Sequence, residues 1–378
     1  MKKVFRYRVF PTSSQTMILN QTLDGCRWLY NHLLEQRKNT WETEKKSLSY
    51  YDQTNSFNQF KQENPFLKDI HSQVLQNVAK RIDLAFKSFY RRTRKSEKPG
   101  YPRFRGKFRY DSFCYPQSGF KLLKNVVRLS KIGGVRINLH RPIEGEIKTC
   151  TIKKTPTEKW FVSFSCDIEH TPIQQPIKPI MGIDVGLENF AWFSDGRRIK
   201  NPKFFQQEEK ALARVQRKLS KQKKGTPIRT RVRKMVARVH ERISNKRHNF
   251  IHHKSRKIVN RFNTIVVENL NIREMKKNNH RCINRGIGDV AWQMFLNTIE
   301  YKAEYAGKRV VRVNPAYTSQ TCSECGIRHK LKLSDRIFHC PSCGLYIHRD
   351  YNASINILSL GLQTLGIFPR SPVTCDGE

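Results

Sequence analysis

The first apolar pattern in the chain has a period of two. In residues 3–10, KVFRYRVF, the positions Phe5, Tyr7 and Val9 alternate with Arg6, Arg8 and Phe10, which predicts a strand ended by Pro11. The period then changes. Thr12 and Gln15 stand at capping-box spacing, and Leu19, Leu23, Cys26, Tyr30 and Leu33 follow at helical intervals. A second helix is predicted over about 71–92, with the stripe Val74, Val78, Ile82, Phe86 and Phe89. Alternation returns where Trp160, Val162, Phe164, Cys166 and Ile168 interleave with Phe161, Ser163, Ser165 and Asp167. Residues 120–170 therefore read as a small β-unit, and the lone first strand is expected to pair with it. On that reading the helical block is an insertion in a barrel-like unit.

Three prolines make 169–180 a linker, and a different layout follows. A strand is expected to end near Asp184, with a turn at Gly186, a second strand at 189–194 and a hairpin turn at Asp195-Gly196. Residues 203–261 read as helix, broken near Gly225 and Pro227 into an antiparallel pair whose stripe is Val232, Met235, Val236, Val239 and Ile243. A fully apolar strand, TIVVE, ends at Glu268. A helix at 291–306 and a strand from Arg309 to Val313 come next. A last helical segment, Ala353 to Leu360, is expected to stop at Gly361. Strands alternating with helices in this half predict an α/β unit, and the whole chain an α+β class of several domains.

Charge narrows the class of partner. Lys and Arg number 72 against 31 Asp and Glu, a net +41 over 378 residues, and such self-repulsion is an expense that a polyanion partner explains. Residues 93–112 interleave Arg and Lys with Tyr and Phe around Pro and Gly, so Arg103 and Arg105 are candidates for nucleic-acid contact with aromatic stacking beside them. Six of the ten cysteines, Cys26, Cys114, Cys150, Cys166, Cys282 and Cys375, follow no framework spacing, as in a reducing compartment. The N-terminus lacks a signal-peptide core and no apolar run reaches ~20 residues, so an intracellular protein with no membrane partner is expected.

The other four cysteines are paired. Cys322 and Cys325, then Cys340 and Cys343, form two CxxC units, each followed by a glycine, Gly326 and Gly344. This is the pattern of a four-thiolate tetrahedral zinc site, structural because no position stays open. His329, His339 and His348 lie nearby and are expected to be solvated or to support the thiolates. Acids beside apolar strands are the remaining anomaly, because a carboxylate next to a core is costly unless paired or metal-bound. Asp184 and Glu268 end strands, and Asp350 precedes the last helix. Three such acids in one α/β unit are the ingredients of a two-Mg²⁺ site for phosphodiester cleavage.

The segments GIDVGLENFAWFSDG, IVVENLNI and HRDYNASINI, with the CxxC pairs between the second and third, resemble the split RuvC nuclease of the TnpB family, transposon-encoded relatives of the type V CRISPR effectors. FRYRVFPTSSQ, YPRFRGKFRYDSF and RISNKRHNFIHHKSRKIV extend the resemblance over nearly the whole chain. The resemblance implies an RNase H-like fold with Asp184, Glu268 and Asp350 as catalytic Mg²⁺ ligands. It also implies a wedge β-barrel (1–11 and 96–172) split by a helical recognition domain (12–95), and a nuclease (178–316 and 347–378) holding a zinc ribbon (317–346). The implied activity is RNA-guided cleavage of double-stranded DNA beside a short adjacent motif. Its implied partners are a guide RNA and the DNA target, with one copy of the protein per RNA complex in a prokaryotic cytoplasm. By similarity Tyr51 and Gln76, with Gln117 or Ser118, are candidate motif readers.

One position departs from the family pattern. The third motif usually reads Asp-Arg-Asp, and here it is His348-Arg349-Asp350, with the ligand position kept. Rival readings are a guided repressor that does not cut, a transposase that joins strands itself, and a ribosomal-type RNA binder. The intact acids weigh against the first. No recombinase constellation supports the second. The third explains charge and zinc but leaves the acids without a role.

Overall fold

A computed structural model describes residues 1–277, 280–332 and 335–367, with the side chains of 281 and 282 left aside. The chain divides into two compact units, residues 1–170 and residues 171–378. Cys375, the side chain of Cys282 and the C-terminal tail lie outside what is described.

In the first unit, β1 (Lys2–Phe10) leads into α1 (Ser13–Glu44). Thr12 and Gln15 make the reciprocal capping box that their spacing predicts: Thr12 Oγ1 accepts from the Gln15 N–H, and Gln15 Oε1 accepts from the Thr12 N–H. Helices α2 (Tyr50–Asn55) and α3 (Phe57–Glu63), a 3₁₀ turn (Pro65–Asp69) and α4 (Ser72–Arg94) complete the helical block. Then come β2 (Ser112–Tyr115), β3 (Phe120–Leu123), β4 (Val126–Leu129), β5 (Gly133–Asn138), β6 (Glu146–Lys154) and β7 (Trp160–Asp167). They form one seven-stranded sheet in the order β2-β6-β7-β1-β5-β4-β3. The first strand of the chain is thus a central strand, antiparallel to both β7 and β5. Side chains bridge the gap between the two edges, because the Tyr115 ring meets Phe120 and its hydroxyl donates to the Ser130 carbonyl. The alternation of β1 does what a half-buried strand requires: Phe5, Tyr7 and Val9 are buried in the core of the first unit. Burial of each is worth about 1.5–3 kcal/mol. Strand structure begins at Ser112, earlier than the period-two signal at 120 suggests, because SFCY is too short to show alternation.

In the second unit, β8 (Ile180–Asp184), β9 (Asn189–Phe193) and β10 (Arg198–Lys200) precede two helices, α5 (Phe204–Ser220) and α6 (Pro227–Arg261). These pack through Leu212, Val239 and Ile243. Their break has clear causes: Thr226 caps α6, Pro227 opens it, and Arg229 Nη1 donates to the carbonyls of Leu219 and Gln222. Met235, assigned to the stripe by spacing, is exposed. Next are β11 (Thr264–Glu268), α7 (Ile272–Lys277), α8 (Arg281–Val290), α9 (Trp292–Tyr305) and β12 (Arg309–Val313). The hairpin β13 (Ile337–His339) and β14 (Tyr346–His348) follows, and α10 (Arg349–Thr364) ends the described chain. The main sheet has the order β10-β9-β8-β11-β12, antiparallel up to β8 and parallel from β8 through β11 to β12.

The last helix differs from the sequence expectation at both ends. It begins at Arg349 rather than Ala353, so Asp350 lies inside its first turn. It also runs through Gly361 instead of stopping there. Gly361 is needed for closeness rather than termination: a Cβ there would sit 2.4 Å from Val266 Cγ2. On the sheet side, a Cβ on Gly182 would lie 2.4 Å from the Ser354 carbonyl. Two glycines therefore let α10 lie on β8 and β11. Because the second clash is with backbone, Gly182→Ala is expected to cost about 3 kcal/mol. Thermal unfolding should show a clearly lower Tm, and an unchanged Tm would mean that α10 sits less closely than described.

Candidate functional site

Each of the three anomalous acids is delivered by a different element to one end of the second sheet. Asp184 is the last residue of β8 and Glu268 the last of β11. These strands are parallel, with Ile183 opposite Val267, so the two carboxylates leave the sheet side by side. Asp350 comes from the first turn of α10, with its Oδ2 only 3.4 Å from where a Cβ on Gly186 would stand. The acids reach each other electrostatically. Desolvation, then the charge of Glu268 and that of Asp350, raises the Asp184 carboxyl well above the usual carboxylate range. The Val185 N–H and the charge of Arg349 oppose this without cancelling it. Burial likewise raises Glu268, with its hydrogen bond from Thr318 opposing. Among the described residues only the four cysteines have their ligand atoms within 4.8 Å of one another. The three carboxylates stand farther apart, hard oxygen donors with too little neutralising charge around them.

Local interactions fix where Asp350 begins its helix. His348 is the N-cap, and its Nδ1 accepts from the Asp350 N–H at 3.2 Å. The proton of a neutral imidazole in that bond is on Nε2. Its ring also stacks on Trp192, with centroids 4.6 Å apart. Aspartate is itself a favoured N-cap, so histidine keeps the capping role at the departing position.

The four cysteines converge. Their sulfurs all lie within 4.8 Å of one another, with Cys322 to Cys343 at 3.6 Å and Cys325 to Cys340 at 3.5 Å. A tetrahedral zinc with ~2.3 Å bonds to sulfur has sulfur–sulfur edges of about 3.8 Å, so the set fits that ion. Gly326 and Gly344 turn at positive φ and donate to the Cys322 and Cys340 carbonyls. Desolvation raises the Cys340 thiol, but the N–H groups of Cys343 and Ser342 with the neighbouring thiols outweigh it and bring it to about 5. His329 Nε2 is 3.2 Å from Cys340 Sγ, the supporting position expected for a histidine here.

In the first unit, Tyr51 is 73% exposed, and Gln76, Gln117 and Ser118 are exposed too. A residue without any sequence signal joins two of them. Gln73 accepts from the Ser118 N–H at 2.8 Å and donates to Gln117 Oε1 at 3.5 Å, tying that loop to α4. Arg103 and Arg105 are exposed. Asn31 clamps the Arg105 backbone through both its N–H and its carbonyl, and the Arg105 guanidinium lies over the Tyr30 ring. Among the described residues no helix is long and apolar enough to cross a membrane.

Three family models match the chain. "Cas12f1-like, TNB domain" covers residues 292–357, "Probable transposase" of the OrfB/IS605 group covers 163–279, and "Helix-turn-helix domain" covers 1–46. The last description departs from the structure, in which residues 1–46 hold one strand and one long helix. A protein of Streptomyces pristinaespiralis, named as an RNA-guided DNA endonuclease, is 33% identical over 96% of this chain and 90% of its own length. InsQ of Escherichia coli K12, named likewise, is 30% identical over 96% and 93%. The CRISPR-associated endodeoxyribonuclease Cas12f1 of Sulfoacidibacillus thermotolerans is 30% identical over 53% of this chain and 50% of its own. Among solved structures, the mini-RNA-guided endonuclease CRISPR-Cas phi3 covers 96% of this chain and 92% of its own, with a TM-score of 0.52 at 11% identity, a likeness of fold alone.

Proposed function

This chain belongs to the TnpB/IS605 family, and from that premise we propose that it is an RNA-guided endonuclease that cuts double-stranded DNA beside a short adjacent motif. The observation that supports the reading is that Asp184, Glu268 and Asp350 lie within electrostatic reach of one another at one end of the second sheet in a chain of net charge +41. Three antiparallel strands continued by two parallel ones, with α10 on the sheet, support an RNase H-like nuclease of RuvC type. The three carboxylates hold a pair of Mg²⁺ ions, which when bound supply Lewis-acid chemistry for phosphodiester hydrolysis. The surplus of Lys and Arg holds the guide RNA and the target by their phosphates. Base pairing selects the target, and Tyr51, Gln76, Gln117 and Ser118 read the adjacent motif while Arg103 and Arg105 grip backbone. The two strands are cut in turn at the one centre.

The test is to sequence RNA that co-purifies with the protein, then to challenge the complex with plasmids bearing its target and a randomised flank. Linear product enriched in one flanking motif is expected. Intact plasmid in Mg²⁺ would favour a guided repressor instead.

Carboxyl groups raised by burial and mutual repulsion also make a pH prediction. Such a group stabilises the fold fully below its unfolded pKa, and that stability is lost as pH rises through the higher folded value. The metal-free cluster therefore weakens the fold progressively above about pH 4, the ordinary carboxylate range. Mg²⁺ binds the ionised folded state and restores what was lost. The rise in Tm on adding Mg²⁺ should be larger at pH 8 than at pH 5 by scanning calorimetry. An increment independent of pH would argue that the cation binds elsewhere.

A further inference from the structure

After β12, the short segment 318–323 runs into the first cysteine pair and links it to Glu268 and to α10. Its first residue, Thr318, is 5% exposed, and its hydroxyl donates to Glu268 Oε1 at 2.6 Å. The Thr318 carbonyl accepts from Asn356 Nδ2 at 2.8 Å. The Thr321 carbonyl accepts from the same Asn356 amide at 2.6 Å and from Asn352 Nδ2 at 2.7 Å. Asn352 Oδ1 accepts in turn from the Ser323 N–H at 3.0 Å. Cys322 is flanked by the two residues whose backbones Asn352 holds. Asn352 is fully buried on α10, two residues after Asp350.

These bonds form one connected path. At one end is a ligand of the four-sulfur cluster and at the other the Glu268 carboxylate, while Asn352 ties the path to the helix that carries Asp350 two residues earlier. The fully buried Asn352 amide uses its oxygen on one side of Cys322 and its nitrogen on the other. It can satisfy both only when the backbone around Cys322 has the conformation of the closed knuckle. Among the described residues the ribbon's own core is small, Cys322, Phe338 and Cys340 with Leu331 and Leu345 beside them. Such a unit depends on its metal to fold.

We propose that Thr318, Asn352 and Asn356 are positioning residues that make the cation affinity of the acid cluster depend on the ribbon being zinc-loaded. The proposal rests on the reading of the acids as a divalent-cation site. Zinc closes the knuckle, the knuckle holds 318–323, and that strap fixes the Glu268 carboxylate through Thr318 and the first turns of α10 through the two asparagines. Loss of zinc frees the strap, and the acids lose their common geometry while the first unit is untouched.

The test uses the full-length protein bound to its RNA, with Mn²⁺ as the probe. Mn²⁺ binding is followed by the electron paramagnetic resonance of the free ion, and cleavage by Mg²⁺ titration. Thr318→Val keeps the shape and removes the donor. It should weaken Mn²⁺ binding and raise the half-maximal Mg²⁺ on the order of 10-fold, as loss of a bond to a ligating carboxylate does. Thr318→Ser should stay within about two-fold of the wild type, in line with keeping that bond. Asn352→Ala, and the less buried Asn356→Ala, should show the weakened binding with zinc still in place. Stripping zinc from either should then add little to the loss, whereas stripping it from the wild type should cost the full factor. Wild-type binding in Thr318→Val, equal impairment of the Val and Ser variants, or additive losses for zinc and the asparagines would each overturn the proposal. Because Mn²⁺ binding is read without turnover, a protein that binds the ion and fails to cut would refute the nuclease reading alone.

Discussion

Asp184→Asn is expected to lower DNA cleavage on the order of 10³-fold or more while leaving RNA and target binding near wild type, a loss of about 4 kcal/mol in transition-state stabilisation. Asparagine keeps the shape and removes the charge that Glu268 and Asp350 both oppose. The cation centre then has one hard anionic ligand fewer. Binding to nucleic acid draws on a different resource. The substitution moves the formal charge from 72 − 31 = +41 to 72 − 30 = +42, which is no loss to a polyanion. The same change should stabilise the metal-free protein, because it deletes the carboxyl that burial and two like charges penalise most. A gain of about 0.5–2 kcal/mol is expected, the size usual for a single stabilising substitution. Three measurements check this: plasmid cleavage, an RNA mobility shift, and Tm in EDTA. Cleavage that persists would remove Asp184 from the chemistry. RNA binding lost along with cleavage would favour a purely RNA-binding role.

Much of this fold is legible in the sequence because it rests on local patterns. The alternation in 3–10 and 160–167 defines the central strands of the first sheet, and TIVVE defines β11 to the residue. Thr12 and Gln15 place the start of α1. Short helices were not legible: α2, α3, α7 and α8 span six to ten residues each, too few turns for a period to stand out. Gly361 misled because a glycine that ends a helix and one that lets it approach a sheet look the same in one dimension. His348 carries no capping signature by residue type, and only its position over Trp192 reveals the role. The acids could be found as charges beside apolar strands. Thr318 could not, since nothing in a chain of letters says which hydroxyl will meet a carboxylate 50 residues away. Gln73, whose partners lie 44 and 45 residues on, escaped for the same reason.

Removing zinc is expected to have the second largest effect, and Cys340→Ser is the variant that isolates it. Cys340 is fully buried among the four sulfurs, with His329 Nε2 3.2 Å from its Sγ. A serine there cannot offer an anionic sulfur at neutral pH, so the site is left with three of its four thiolates. The hairpin of β13 and β14 is two strands of three residues each, which water does not leave folded without help. Apparent zinc binding energies in small domains are about 10–16 kcal/mol, more than that core can replace, so the ribbon should open. Zinc content should fall from one per chain toward zero by atomic absorption, and cleavage should fall by at least 10-fold, as loss of carboxylate support implies. RNA binding should change far less, because most of the cationic surface lies outside residues 317–346. Equal losses in cutting and in RNA binding would make the ribbon an RNA-holding element instead of a support for the acids. Full cutting by a zinc-free protein would mean that α10 finds its place on β8 and β11 without help, through Gly182 and Gly361 alone.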